Sequence, residues 1–541
     1  MAARRSRAAR SQMPQPSGGA VKLPPLDANK MRARVEKVES EQATHRPEWL
    51  EAYRLMFPQR YEFESTPGEK KTRGVYTSFP EETARVGVGN LVGALAPPGR
   101  PFWRTEPGER FSEAFPNIPE DQASDLLERF DGVLFEALQR SDMDSTLHEM
   151  AVDGIISQGH AVIEKGTRDE PLRFRAVPLH TAIVDDGPNG ALEHLFQKYT
   201  DTLPNMLALW PLKLNEKLRQ SMRNDPQAKH TVLVGDTTVR DDKGQRLGTK
   251  FFVMEDAGRD VLHEVDMPPE EPFRGITLRL QKNQSERFAR GPALSALPTC
   301  QSLNQLELYL LKGAAQAVDP AKLLDTRKIL NVANLRVDPG AYNMAASELG
   351  ESLADAVVPL HSGQRADIAE FHVARMEHSI RRLLFAEEVV PPLDAGVRTA
   401  TEIQIRRQAI LAQRGVELGR LQREWLNGIV RRSAWILSEF GLFPREVAQL
   451  MDGEVFAIRP IGPLEQARNA EDGQSLLAAA QAIVASLGPE MAHLQIKSEE
   501  LGAEAARKMG IPESLIRNED ERDEMQRNVA QIAAAGATEA A

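Results

Sequence analysis

Residues 287 to 320 read RFARGPALSALPTCQSLNQLELYLLKGAAQAVDP, and this stretch constrains the chain more than any other. A Gly291-Pro292 entry and a run of small residues lead into a helix. Leu303, Leu306, Leu310, Ala314 and Ala317 recur on one stripe of it, so it has an apolar side that something must cover. The spacing predicts a helix over 299–318. It ends at Asp319-Pro320, because proline lacks the N–H of the next helical bond and its ring clashes with the turn before it.

Helical periodicity governs the chain upstream. It begins around Ala28, runs past Trp49, Tyr53 and Phe57 to Pro58, and returns over 80–95, 118–140 and 142–158. After Gly159 the period changes. HAVIEKG, LRFRAVP, HTAIVDD and ALEHLFQKYTD come first, and a short helix containing Trp210 follows. HTVLVGDTTV, KFFVMED, VLHEVDM and ITLRLQK then alternate or cluster β-branched residues between turns such as Asp186-Gly187-Pro188-Asn189-Gly190 and Asp241-Asp242-Lys243-Gly244. Helices first and a mainly antiparallel sheet after them make an α+β, helix-rich fold class.

Beyond the long helix lies a mixed stretch over 319–366. A second helix spans 367–388 with Ile368, Phe371, Met376, Ile380, Leu383 and Leu384, and ends at Val389-Val390-Pro391-Pro392. A third and longer helix spans 399–440, opened by a Thr399/Glu402 capping box. Gly415, Gly419 and Gly428 lie inside it. Each costs up to ~1 kcal/mol relative to alanine, which points to a bend or a close helix crossing. Residues 464–541 are rich in Ala, Glu and Gln and read as helices broken at Gly488-Pro489 and Gly510-Ile511-Pro512.

A length of 541 residues suggests three or four folding units of ~100–200 residues. Aromatic residues at 6% favour helix-rich packing. No apolar run approaches the ~20 residues that span a bilayer, and VGVGNLVGALAPP (86–98) is both short and broken by Gly and Pro, so no membrane partner is expected. Residues 1–27 read as a flexible arm carrying Arg4, Arg5, Arg7 and Arg10, either solvated or laid on a neighbouring subunit or nucleic acid; their composition would also suit a transit peptide. The single cysteine, Cys300, cannot form an internal disulfide and packs as a small hydrophobe. A net charge of −11 argues against a sequence-specific nucleic-acid binder, because phosphate neutralisation supplies most of such a protein's affinity.

No nucleotide-binding GxxxxGK[ST], HExxH, GxSxG or EF-hand pattern is present, so no cofactor and no enzymatic site is expected. GEKKTRG at 68–74 has suitable residue types at the wrong spacing. Glu370, His372, Glu377 and His378 are the best metal candidates, yet the two histidines fall on opposed faces of a helix. Asp185, Asp186 and Asn189 fit turn chemistry better than calcium. Arg398, Arg406, Arg407 and Arg414 read either as a solvated face paired with Glu402 and Glu417, or as groups facing phosphate. In a closed ring, one such residue per subunit becomes a ring of charge.

RPEWLEAYRLMFPQ (46–59), ARVGVGNLVGALAPPGRPFWR (84–104), LHEMAVDGIISQGHAVIEKG (147–166), RGPALSALPTCQSLNQLE (290–307) and RTATEIQIRR (398–407) together resemble phage portal proteins. The likeness is to the head-to-tail connector family of short-tailed phages, over about residues 45–525, and departs mainly in the basic arm and the Ala-rich end. The resemblance implies a portal fold: a flexible basic arm (1–27), a wing (28–289), stem helix 1 (290–318), a clip (319–366) and stem helix 2 (367–388). A tunnel loop (389–398), a long bent helix with its return to the wing (399–463) and a helical crown (464–541) follow.

It further implies a tunnel-loop site of Pro391, Pro392, Asp394, Gly396 and Arg398 in the DNA channel, with Arg406 and Arg407 as channel-facing basic groups. Lys322, Arg327, Lys328 and Arg336 would be clip residues that dock terminase or tail. The implied partners are eleven further copies in a twelve-subunit ring, the terminase large subunit, major capsid and scaffolding proteins, tail adaptor proteins, and double-stranded DNA passing without sequence specificity. The implied location is a capsid vertex of the virion, and the host cytoplasm during assembly. A non-channel helical scaffold or tail adaptor of a phage particle is the alternative, separated by oligomeric order. A nucleic-acid-processing enzyme with an unrecognised site is a third reading, separated by nuclease or ATPase activity.

Overall fold

An aspartate opens the first helix. Asp27 Oδ1 accepts from the backbone amides of Asn29 and Lys30, satisfying donors that have no partner inside the helix. The computed structural model describes residues 22–60, 71–116, 120–256, 258, 260–283, 286–318, 322–324, 357–359, 366–386, 420–451, 455–461, 476, 478–485 and 501–502.

The upstream helices form where apolar spacing places them: α1 (Ala28–Met56), α2 (Phe79–Leu95), α4 (Glu120–Gln139) and α5 (Met143–Ile156), with a one-turn α3 (Phe111–Ala114) between α2 and α4. α5 stops at Ile156, earlier than expected, because Gln158 and Gly159 already belong to strand β2 (Gln158–Lys165). β3 (Leu172–Val177), β4 (Ala182–Asp186) and β5 (Leu192–Thr202) follow. α6 (Leu203–Leu209) and α7 (Glu216–Asn224) come next, with Trp210 in the extended link that closes α6. β6 (Lys229–Arg240), β7 (Arg246–Glu255), β8 (Val261–Met267) and β9 (Gly275–Arg279) complete the run.

These strands pair antiparallel throughout, but they make two sheets rather than one. Five strands lie in the order β4-β5-β6-β7-β8 and three in the order β3-β2-β9. β9 leaves its sequence neighbour and pairs with β2, His160 opposite Thr277. No local pattern specifies that choice. A further ribbon joins β1 (Trp103–Pro107) to β12 (Phe456–Pro460). Sequence periodicity missed it because each strand ends in proline, which marks edge positions, and the partner lies hundreds of residues away. Asp131 on α4 fastens β1, accepting from Trp103 Nε1 at 3.0 Å and from Thr105 N and Oγ1 at 2.6 and 2.7 Å. Burial pushes its carboxyl up to about 6, against the pull of those bonds.

The chain divides into two compact units. One comprises Met1–Arg46, Leu91–Gly291 and Val389–Ala541, and the other Pro47–Asn90 and Pro292–Glu388. In the first, α6 and α7 cover one face of the five-stranded sheet, burying Leu203, Met206, Leu212, Leu214 and Leu218 with Val232, Val234, Phe251, Val253, Leu262 and Met267. In the second, Trp49, Tyr53, Met56, Val88, Cys300, Leu303, Ile380 and Leu384 are buried, and burial pushes the Cys300 thiol up to about 12.

Two histidines of the first unit are held neutral. His160 is 1% exposed, and burial, with Arg279 nearby, lowers its pKa to about 3. His194 is likewise lowered to about 3, by burial first and then by Arg34 and Arg240; Arg34 Nη1 lies 2.7 Å from its Nε2. Below the ordinary histidine range the unfolded chain takes up protons that the folded chain refuses, so stability is complete above about pH 6.5 and is lost as pH falls towards 3. Each histidine should remove ~1.4 kcal/mol per pH unit across that window. Urea titrations at about pH 7, 6 and 5 should show a falling midpoint and His160→Gln a shallower fall; a midpoint that rises on acidification would contradict the assignment.

Candidate functional site

Proline opens the long helix in the position it tolerates best. α8 (Pro292–Val318) begins with Pro292, whose missing N–H would have no helical partner there, and so starts seven residues earlier than the spacing predicts. Pro298 lies inside it without ending it. After Val318 comes β10 (Lys322–Leu324), paired antiparallel with β11 (Val357–Pro359), Lys322 opposite Pro359. α9 (Ala366–Leu383) then packs along α8.

Burial is graded along this pair. Leu303 is 1% exposed, Leu306 and Leu310 are half-buried, and Ala314 and Ala317 are exposed. The apolar stripe read from the sequence is therefore covered at its start and bare at its end. α9 shows the same gradient in reverse: Phe371 is 68% exposed, Met376 and Leu383 are half-buried, and Ile380 and Leu384 are fully buried. Asn304, the polar residue buried in α8, is satisfied by the loop before α2. Its Oδ1 accepts from Tyr76 N at 2.7 Å and its Nδ2 donates to Gly74 O at 3.0 Å.

The end of α9 is docked on α2. The helix stops at Leu383, short of the expected 388, because Phe385 adopts a left-handed backbone (φ 62°) and Ala386 N donates back to Arg381 O at 2.9 Å. That pattern is a helix C-cap in which glycine is usual. Three contacts hold it: Asn90 Nδ2 donates to Phe385 O at 2.8 Å, the Arg381 guanidinium lies over the Phe79 ring at 4.8 Å, and Gly87 lets the backbones meet. A Cβ at Gly87 would lie 1.9 Å from Leu384 O.

Of the third helix expected over 399–440, residues 399–419 lie outside the described residues, and the rest is fastened at a second anchor. Residues 422–426 form a π-helical turn leading into α10 (Asn427–Glu439), and α11 (Arg445–Leu450) precedes β12. Glu424, in that turn, accepts from Arg279 Nε at 2.7 Å; Arg279, 0% exposed, also donates to Asp186 Oδ1 at 2.8 Å and to Gly190 O at 3.2 Å. Arg420 Nη1 donates to Lys282 O at 3.1 Å, and Trp425 stacks on Phe102 with centroids 5.7 Å apart. At Gly428 the close neighbour is a strand and not a helix, since a Cβ would sit 3.0 Å from Ile276 Cγ2 on β9; Gly415 and Gly419 lie outside the described residues.

A family described as bacteriophage head to tail connecting protein matches residues 28–516. The chain belongs to that family. No curated protein sequence matches this connector at a significant level. Solved structures that match include a chain of the neck of an empty gene transfer agent particle. It has 12% identity and a TM-score of 0.33 over 77% of the connector and 91% of that chain. A chain from the virion of a native gene transfer agent particle matches with 13% identity and a TM-score of 0.33, over 77% and 91%. At those scores neither likeness bears on the connector's fold or role. The family is structural rather than enzymatic.

Of the residues singled out in the sequence, Lys322 is placed in the β10–β11 ribbon. Pro391, Pro392, Asp394, Gly396, Arg398, Arg406, Arg407, Arg327, Lys328 and Arg336 lie outside the described residues. Among the described residues no group of three or more His, Cys, Asp or Glu side chains is placed to hold a metal ion, and no helix is long and apolar enough to cross a membrane. Asp185 and Asp186 do more than shape a turn: Asp185 pairs with Arg34 and Arg287, Asp186 with Arg279 and Lys282. Those cations lie far from the turn in sequence, so no local signal could have revealed them. The contact at Gly87 yields a paired test. Gly87→Ala should destabilise the connector by about 1–3 kcal/mol through overpacking and speed amide exchange over residues 380–386. Gly89→Ala, where a Cβ meets nothing within 4 Å, should be neutral or stabilising by roughly 0.5–1 kcal/mol; equal effects in a denaturant titration would remove the close approach as the cause.

Proposed function

We propose that the connector is the repeating subunit of a closed ring at one capsid vertex, through which double-stranded DNA passes during packaging and again during ejection. The observation that carries this reading is the bare end of the α8–α9 pair. Tyr309 is 58% exposed, Leu311 54%, Val318 88% and Phe371 68%. Large apolar side chains gathered at one end of a helix pair call for a cover. In a cyclic ring each subunit covers its neighbour through a heterologous contact, and the same few residues are repeated around the axis.

In this reading residues 28–289 form the wing, 290–318 and 367–388 the stem, 319–366 the clip, 389–398 the tunnel loop, 399–463 the long helix with its return, and 464–541 the crown. Pro391, Pro392, Asp394, Gly396 and Arg398 face the DNA, with Arg406 and Arg407 behind them. Lys322, Arg327, Lys328 and Arg336 receive the terminase large subunit and later the tail adaptors. Twelve copies, scaffolding and major capsid proteins complete the vertex. The motor supplies the energy, so the connector needs no catalytic residue, and the net charge of −11 suits a wall that does not hold duplex tightly.

Negative-stain electron microscopy classified for rotational symmetry tests the ring. Wild-type protein should give rings with a duplex-sized hole, and Tyr309→Asp with Phe371→Asp should give small particles with unchanged circular dichroism; small particles from wild type at every salt and protein concentration would favour a non-channel adaptor. Arg398→Glu should leave the ring assembled and lower packaged genome length or yield. Unchanged length and yield in phage carrying that variant would remove Arg398 from the channel.

A further inference from the structure

β5 and β6 are paired to their last residues, Thr202 opposite Lys229. Two antiparallel neighbours in that register need only a tight turn, and hairpin loops of ~2–5 residues are the rule. This chain instead inserts residues 203–228, folded as α6, an extended link and α7. Part of the insertion has a structural purpose, because its apolar residues cover the sheet. The cations at the edge of that apolar cover are not explained by it.

There the insertion forms an open hollow of about 570 Å³. Leu207, Leu212, Leu214 and Met222 make its apolar lining. Lys213, Arg219 and Arg223 also line it, all three exposed. The link is rigid where it matters: Lys213 N donates to Leu262 O at 2.7 Å, and Asn215 caps α7 by accepting from Leu218 N at 2.9 Å. Arg219 has only a loose, exposed pair with Glu216 at 3.8 Å, and among the described residues no carboxylate lies within salt-bridge distance of Lys213 or Arg223. A chain with net charge −11 thus sets three cations around one apolar hollow and leaves two of them, among the described residues, without an acid within reach.

We propose that this hollow docks an acidic amphipathic helix of a partner protein. The apolar side of such a helix would fill the space lined by Leu207 and Met222, and its carboxylates would meet Lys213, Arg219 and Arg223. An apolar lining decides against nucleic acid, whose backbone offers charge but nothing to fill it. The site lies on the α6–α7 insertion and does not depend on ring closure.

The test uses the full-length protein and a labelled synthetic peptide of about 18 residues with Leu on one helical face and Glu on the other, followed by fluorescence anisotropy. Wild type should bind it saturably, more weakly as salt rises. Arg219→Glu combined with Arg223→Glu, or Lys213→Glu alone, should weaken binding, the double variant by roughly tenfold. A peptide with Gln in place of Glu should behave like wild-type peptide on the double variant. Because the substituted side chains are exposed, thermal melts should be unchanged. Absent binding, binding indifferent to the substitutions, or preferential capture of a short DNA duplex or of a fatty-acid probe over the peptide would each overturn the proposal.

Discussion

The buried guanidinium of Arg279 joins the sheets of the larger unit to the π-turn that opens α10. It sits at the end of β9 with no solvent exposure, and reaches Asp186 on β4, the carbonyl of Gly190 in the following turn, and Glu424 in the π-turn. A buried charge is tolerable only when geometry and hydrogen bonds replace the lost water, and removing one member of such a set costs about 3–5 kcal/mol because the others stay buried without it. Lys282 also reaches Asp186, and Arg420 reaches the carbonyl of Lys282. One cluster therefore sets where the short sheet, the β4 turn and the start of α10 meet. Arg432 repeats the device one step on, paired with Glu271 at 2.5 Å and reaching the carbonyl of Pro272 at 3.3 Å.

The smaller unit is organised by shape instead of charge. Gly87 admits the backbone of Leu384, Asn90 takes the carbonyl that the ended helix leaves free, and a phenylalanine accepts the left-handed conformation that closes α9. A non-glycine residue there costs ~1–2 kcal/mol, so the cap persists only because its neighbours hold it. The anchor of this unit lies at residues 380–386, and that of the larger unit at residues 420–428.

Much of this was legible beforehand, for definite reasons. The helices over 28–56, 79–95 and 120–139 follow apolar spacing, and the strands of residues 158–279 follow alternation between Gly- and Asp-rich turns, because both signals are local. Gly428 could be marked as a place of close approach, since glycine inside a helix needs a reason, but nothing local named the strand residue Ile276 as its neighbour. Other features were not legible. The β1–β12 ribbon, the partnership of β9 with β2 and the cations around Asp185 and Asp186 all join residues distant in sequence, where no periodicity operates.

Composition, period and a few spaced motifs determined the α+β class, the long α8 and the family, because each depends only on neighbouring residues and on which side chains are apolar. The tertiary structure alone decided which apolar stripes stay bare. Leu303 and Ala317 lie on one stripe of one helix, yet the first is buried and the second exposed. Burial depends on what arrives from elsewhere in the chain, and at the far end of α8 the described residues bring nothing to cover it.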